Sequence, residues 1–312
     1  MTTKIMLDSG AFSAWMKQKK ISLNDYIQYI KKNEEYVDYI VNLDVIPGSF
    51  GKKNLSKKDI KKSAKLGWKN YKKIINSGIN ESKIIHVFHQ DEDFKYLKQM
   101  MNKMDYIGIS PANDRTTNEK IEWLNKCMKY ILNKKGRPII KFHGFAVTSL
   151  PLILKYPWYS IDSTSWVTFG RYGAILMPKT TLGRLDYRKP PNVIFVSDKS
   201  TKKDIVGKHI DSVSKYERKK IKEYIEEMGF SFSKLTSDGL ERDRFNMKFY
   251  LEIEKTLENT RIYFAGNFPM LSKIEREKKT QKIILKEFKN YRRLGSFYYK
   301  KYMDKLLEIK KG

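Results

Sequence analysis

Eight short apolar runs, each separated from the next by a longer polar or amphipathic stretch, limit what this chain of 312 residues can fold into. The runs are Lys4 to Leu7, Tyr39 to Leu43, Lys83 to Phe88, Tyr106 to Ile109, Pro138 to Phe142, Tyr159 to Ile161, Asn192 to Val196 and Arg261 to Phe264. Helical patterns fill the intervals, over Leu23 to Lys32, Lys57 to Ile75, Phe94 to Met104, Asn118 to Leu132 and Met270 to Tyr291. Alternation of this kind is the signature of parallel βα units. Eight of them at this length predict an α/β fold with a closed, TIM-like (β/α)8 barrel rather than an open sheet. The spacing is uneven, because Thr180 to Leu257 holds one strand candidate among strongly charged helical sequence such as Lys215-Tyr216-Glu217-Arg218-Lys219-Lys220-Ile221-Lys222. The expected organisation is the first part of the barrel over 1–180, a basic, helix-rich insertion with one barrel strand over 181–257, and the last strand with C-terminal helices over 258–312. The runner-up makes the insertion a separate small helical domain.

The polar residues of the barrel reading fall at strand ends, where barrel enzymes do their chemistry. Asp8 closes the first run and is followed by the small-residue turn Ser9-Gly10-Ala11 and then Phe12. Asp162 closes Tyr159-Ser160-Ile161 and is followed by Ser163-Thr164-Ser165. Between them come Asp44, His89 with Gln90, Ser110 after Gly108-Ile109, and His143 before Gly144. Any one of these, taken alone, reads best as a turn or helix-cap residue. Six strands ending this way on one face of a parallel barrel point instead to a polar pocket.

Composition narrows the partners. Lys and Arg number 63 against 35 Asp and Glu, a formal net charge of +28. That exceeds what solubility requires and points to a polyanion, although a basic proteome with solvated helix faces would look similar. Aromatic residues at 13% suit stacking on exposed bases. A single cysteine, Cys127, excludes an internal disulfide framework and a multi-cysteine zinc site, and its helical surroundings predict a buried apolar role. With no signal-peptide pattern and no apolar run of membrane length, a cytoplasmic protein without membrane contact is expected.

Several segments, in order, resemble one enzyme family. Asp8-Ser9-Gly10-Ala11-Phe12-Ser13 is similar to the Asp-Ser-Gly-Gly-Phe-Gln motif of tRNA-guanine transglycosylases, and Ile161-Asp162 followed by Gly170-Arg171-Tyr172-Gly173 resembles their nucleophile segment. Asp44 stands where that family has a base-recognising Asp, Gln90 or His89 where it has a Gln, and Gly108-Ile109-Ser110 and His143-Gly144-Phe145 at its glycine segments. The resemblance covers roughly the first 175 residues. It is closest to the DNA-acting branch, the 7-deazaguanine DNA transglycosylases, and within it to phage-encoded members, a host-cell cytoplasmic setting. One departure bears on the polymer: the tRNA enzymes carry a zinc site of three Cys and one His, which a chain with Cys127 alone cannot build.

The resemblance implies replacement of guanine in DNA by a 7-deazaguanine base, such as 7-cyano-7-deazaguanine, without cofactor or metal. It makes Asp162 the nucleophile that traps the sugar covalently and Asp8 the general acid/base. Asp44 would accept the N1–H and exocyclic amine of the base. Phe12 would stack on it, Gly10, Gly108 and Gly144 would allow close backbone approach, and Ser9, His89, Gln90, Ser110 and His143 would supply further contacts. His143 reads equally well as a strand-end His satisfied by nearby backbone.

A base inside a duplex has to be unstacked first. Trp166 to Pro191, read as loop-rich, interleaves Arg171, Arg184, Arg188 and Lys189 with Tyr172 and Tyr187, a mixture suited to an extruded strand. Arg242, Arg244, Arg292 and Arg293 are further candidates for phosphates. Three other readings stay open: exchange in tRNA, a non-catalytic nucleic-acid-binding module, and a metal-dependent barrel hydrolase using His86, His89, His143 and an Asp. Against the last, His86 and His89 stand three apart on one strand and should face opposite ways.

Overall fold

The computed structural model describes residues 4–48, 56–147, 149–162, 164–202 and 205–265. In chain order the elements are β1 (Met6–Leu7), α1 (Ala11–Met16), α2 (Leu23–Asn33), β2 (Tyr39–Val41), α3 (Lys57–Asn76), β3 (Ile84–Ile85), β4 (Val87–His89), α4 (Phe94–Lys103), β5 (Tyr106–Ser110), α5 (Thr117–Ile131), β6 (Lys141–Gly144), α6 (Leu150–Lys155), β7 (Ser160–Ile161), α7 (Ser165–Arg171), β8 (Ala174–Met177), β9 (Lys179–Thr181), β10 (Arg184–Asp186), β11 (Asn192–Phe195), α8 (Lys215–Glu227), α9 (Phe232–Ser237) and α10 (Gly239–Ala265). The protein is mixed α/β with parallel sheets. Among the described residues no helix is long and apolar enough to cross a membrane. The chain divides into two compact units.

The first unit holds the described residues up to 147 together with Tyr156–Asp162. Its strands are all parallel and follow sequence order, β1-β2-β3 and β4-β5-β6-β7. β3 and β4 are successive halves of one strand broken at His86, whose carbonyl accepts the Gly108 N–H at 2.8 Å. The first half pairs with β2 and the second with β5. No hydrogen-bonded pairing among the described residues returns β7 to β1.

Local signals place the helices between these strands. Ser22, Ser56 and Asp93 accept backbone N–H groups at the starts of α2, α3 and α4, and Thr116 with Glu119 forms a capping box on α5. Such caps satisfy donors that the first helical turn leaves unpaired. The helices bury one stripe each, with Trp68, Tyr71 and Ile74 from α3, Leu97, Met100 and Met101 from α4, and Leu124, Cys127 and Met128 from α5. Ile40, Ile85, Phe88, Ile107, Ile109 and Phe142 of the strands are buried too, and the Phe88 ring stacks on Trp123 of α5 at 5.7 Å. Cys127 is fully buried, as its helical surroundings suggest.

The second unit holds the described residues of 149–155 and 164–265. Two expectations change here. The stretch from Trp166 to Pro191 is not loop-rich: it contains most of α7, then β8, and the antiparallel hairpin β9-β10. The run Asn192 to Val196 does form a strand, β11, but it pairs antiparallel with β8. Ile175, Val196, Ile210, Ile221, Ile225, Leu235 and Phe245 make the core of this unit. Asn246, fully buried on α10, accepts the Leu176 N–H at 2.8 Å and donates to the carbonyls of Trp166 and Ala174, tying α10 to α7 and β8.

Arg261 to Phe264 is helical, the end of α10, and not a strand. A four-residue apolar run is ambiguous between the two states. Here Phe245, Phe249 and Ile253, buried at four-residue spacing upstream, set the helical repeat that the chain continues. The expected helix Met270 to Tyr291, with Arg292 and Arg293, lies outside the described residues.

Candidate active site

The C-terminal ends of the parallel strands carry the titratable cluster. β1 ends before Asp8, and the chain then turns through Gly10, whose φ of +71° disfavours any side chain, into α1. Ser9 sits in this turn. Its hydroxyl accepts the Ala11 N–H at 3.3 Å and donates to Asp44 Oδ1 at 3.4 Å, joining the ends of β1 and β2. Asp44 Oδ2 lies 2.8 Å from Nε2 of His89, at the end of β4, and His89 Nδ1 lies 3.2 Å from Glu92 Oε1. All three side chains are nearly inaccessible, at 5–10%.

His89 is therefore held between two carboxylates. Burial alone would lower its pKa, but the hydrogen bonds and charges of Asp44 and Glu92 outweigh that and push it up to about 10. The ring is an imidazolium at neutral pH. His86 is the opposite case. It points toward α3, with Nδ1 2.9 Å from Asn42 Nδ2 and its ring against Trp68 and Tyr71, and burial holds its pKa down to about 3. The two histidines do face different ways, so they do not offer one metal a pair of ligands.

Asp8 is exposed, yet protein crowds it enough that loss of hydration raises its pKa above the ordinary Asp value. The Asp44 charge adds to this, the backbone N–H groups of Ser9 and Gly10 oppose it, and Asp162 adds a smaller push. Asp8 thus feels the charge of Asp44 and, more weakly, that of Asp162. Asp162 follows β7, with its side chain 53% exposed. Its Oδ1 accepts the Ala146 N–H at 2.7 Å and lies 3.4 Å from Nε2 of the buried His143. Its Oδ2 has no partner among the described residues.

The other expected contacts divide into open and occupied positions. Gln90 is buried, with Oε1 taken by the Ala112 N–H at 3.0 Å, which leaves its amide nitrogen an unengaged donor among the described residues. Phe12 is 41% exposed and stacks on Trp15 at 5.9 Å. Ser110, half-buried, ends β5 opposite His89. The space over the α-carbons of Gly108 and Gly144 is filled by protein: Phe145 lies on Gly108, and Val147 and Trp158 lie on Gly144. These two glycines thus admit side chains of the chain itself, which a Cβ would displace. Glu92, beside His89, and Phe145, over Gly108, adjoin these residues and were not among those expected from the sequence.

The cationic residues expected to meet a polymer belong to the second unit. Arg171 and Tyr172 end α7, both exposed, with Tyr172 at 71%. Arg184 is exposed on β10 and has no ion-pair partner among the described residues, whereas Arg188 lies 3.2 Å from Asp186. The hairpin β9-β10 turns through Leu182 and Gly183, with φ of +50° and +75°, and Leu182 is 98% exposed between Lys179 and Arg184. Arg242 is not a phosphate contact. It is buried and donates to the carbonyls of Gly170, Leu235 and Thr236.

No protein-family model matches the chain, and no curated protein sequence matches it.

Proposed function

We propose that the protein exchanges guanine in DNA for a 7-deazaguanine base through a covalent Asp162–sugar ester, at the C-terminal ends of its parallel strands. The observation that carries this reading is that three strand-end carboxylates have different settings: Asp8 raised by burial and by the charges of Asp44 and Asp162, Asp44 against His89, and Asp162 with Oδ2 unpartnered among the described residues. Such separation of environments is how acid, base and nucleophile roles are divided among like groups. An oxygen of Asp162 attacks C1′ as the bond to guanine N9 breaks, and Asp8 gives its proton to the departing base. Asp8 then takes the proton from the pyrrole nitrogen of the incoming 7-deazaguanine, that nitrogen attacks C1′, and Asp162 leaves as a carboxylate. Two displacements retain the configuration of the sugar. Asp44 has lone pairs left for the N1–H and amine of a guanine-like base, and the Gln90 amide nitrogen is a donor suited to its O6.

The polymer is tested by supplying a 7-deazaguanine base with guanine-containing DNA or with a guanine-34 tRNA anticodon stem-loop, and analysing the digested nucleosides by mass spectrometry. Exchange is expected into DNA. Exchange into the tRNA alone would move the activity to the other polymer, and exchange into neither would remove the enzymatic reading.

The raised pKa of Asp8 has a kinetic sign. Guanine release needs the protonated acid, so single-turnover release at saturating DNA should fall as pH rises through a value above that of an ordinary Asp. Asp44→Asn removes a charge that raises Asp8, so this limb should move to lower pH. Asp8→Ala should slow the step by about 10²- to 10⁴-fold at neutral pH. An unmoved limb in Asp44→Asn would separate the two carboxylates.

A polyanion should bind with strong salt dependence, log affinity falling against log salt by about 0.9 for each phosphate neutralised on a duplex. Arg184, exposed and without an ion-pair partner among the described residues, is the clearest candidate. Arg184→Glu should make the slope shallower by about one unit or more, while Arg244→Glu, whose guanidinium already lies 3.2 Å from Glu241, should change it less.

A further inference from the structure

Behind Asp162 runs a partly buried chain of polar groups that the proposed transfer does not use. Tyr106, at the start of β5, is bonded through its hydroxyl to Ser160 Oγ at the start of β7. The same Oγ lies 2.6 Å from Nδ1 of His143 on β6. The parallel register, with Gly108 beside His143 and His143 beside Ser160, brings the three side chains onto one face. At the far end Nε2 of His143 is buried with no hydrogen-bond partner among the described residues, 3.4 Å from Asp162 Oδ1.

Counting hydrogens decides the direction of the chain. Tyr106 and Ser160 own one hydroxyl hydrogen each, and Ser160 Oγ is the one hydrogen-bond partner of the Tyr106 hydroxyl among the described residues. If Nδ1 carried the proton and donated to Ser160, one of the two hydroxyl hydrogens would have no acceptor among the described residues, in a partly buried setting where an unmade bond is costly. If Tyr106 donates to Ser160 and Ser160 donates to Nδ1, both are used. Burial also raises the Tyr106 pKa, which keeps it a donor.

We propose that Tyr106 and Ser160 fix neutral His143 as the Nε2–H tautomer, so that it is a hydrogen-bond donor to Asp162 Oδ1 and makes Oδ2 the attacking oxygen. Oδ1 would then receive two N–H groups, from His143 and from Ala146, whose backbone adopts the strained φ of +51°. The 3.4 Å separation is that of a long hydrogen bond, which is common at catalytic groups before substrate binds. His143, Ser160 and Tyr106 are positioning residues in this arrangement. Their part in catalysis rests on the transfer chemistry proposed above, but the tautomer does not.

The chain has four histidines, so the ring nitrogens of His143 can be assigned in long-range 1H–15N spectra by difference with His143→Gln. The wild-type protein should show a bare Nδ1 and a protonated Nε2, and Ser160→Ala should lose that preference while Ser160→Thr restores it. A protonated Nδ1 in the wild type overturns the proposal, whatever the enzyme turns over and whether or not the variants fold. Where base exchange is measurable, Ser160→Ala should slow formation of the covalent intermediate by about 3- to 10-fold with DNA affinity unchanged, the scale of one oriented hydrogen bond. Unchanged formation with an altered tautomer would confine the relay to structure and overturn its positioning role.

Discussion

Asp162→Asn should abolish base exchange, lowering turnover by roughly 10⁴- to 10⁶-fold, the loss seen when a covalent nucleophile is removed. An amide cannot form the glycosyl ester, and Asp44 is already engaged with Ser9 and His89. Folding should survive. The Asp162 side chain is 53% exposed, its Oδ1 accepts the Ala146 N–H, and the amide oxygen of Asn can take that role. DNA affinity should stay within a few-fold, because the lost charge is negative. Turnover measured beside binding checks this: near-normal exchange by the Asn variant would exclude Asp162 as nucleophile.

The second large effect concerns stability. His89→Leu would leave the buried carboxylates of Asp44 and Glu92 facing each other without the imidazolium between them, a loss of about 3–5 kcal/mol for breaking a buried ion pair from one side. The pH dependence carries the signature. A His raised to about 10 in the folded state stabilises fully below its unfolded value near 6.5, and this contribution disappears as pH rises through 10. The wild-type advantage over His89→Leu in urea denaturation should therefore shrink by about 1.4 kcal/mol per pH unit across that window. A difference independent of pH would mean that His89 is not charged in the folded protein.

Asp8, Asp44, His89, Gln90, His143 and Asp162 were legible because each directly follows or ends an apolar run, so a local pattern places them at one end of a parallel sheet. Glu92 was not. It reaches His89 through a turn whose Asp91 has a φ of +72°, a conformation that composition does not announce. Tyr106 and Ser160 lie at strand starts, and they meet His143 only through the register of three parallel strands. That register is a long-range property. The rings that lie over Gly108 and Gly144 were hidden for the same reason, since they depend on tertiary packing.

In the second unit the local signals were themselves ambiguous. Ala174-Ile175-Leu176-Met177 is β8, although Ala, Leu and Met favour helices. The hairpin turn is Leu182-Gly183, without the Asn-Gly or Asp-Gly pair that usually announces such turns. Burial decided β8, all of whose residues are buried or half-buried and paired with β11.

The most direct test of the account is peptide mapping of the enzyme after brief reaction with guanine-containing DNA and rapid denaturation. The account predicts a DNA–enzyme species whose sugar attachment maps to the peptide containing Asp162, and which disappears when a 7-deazaguanine base is added before quenching. Attachment at Asp8 or Asp44, or base exchange that proceeds with no covalent species at any time point, would contradict it.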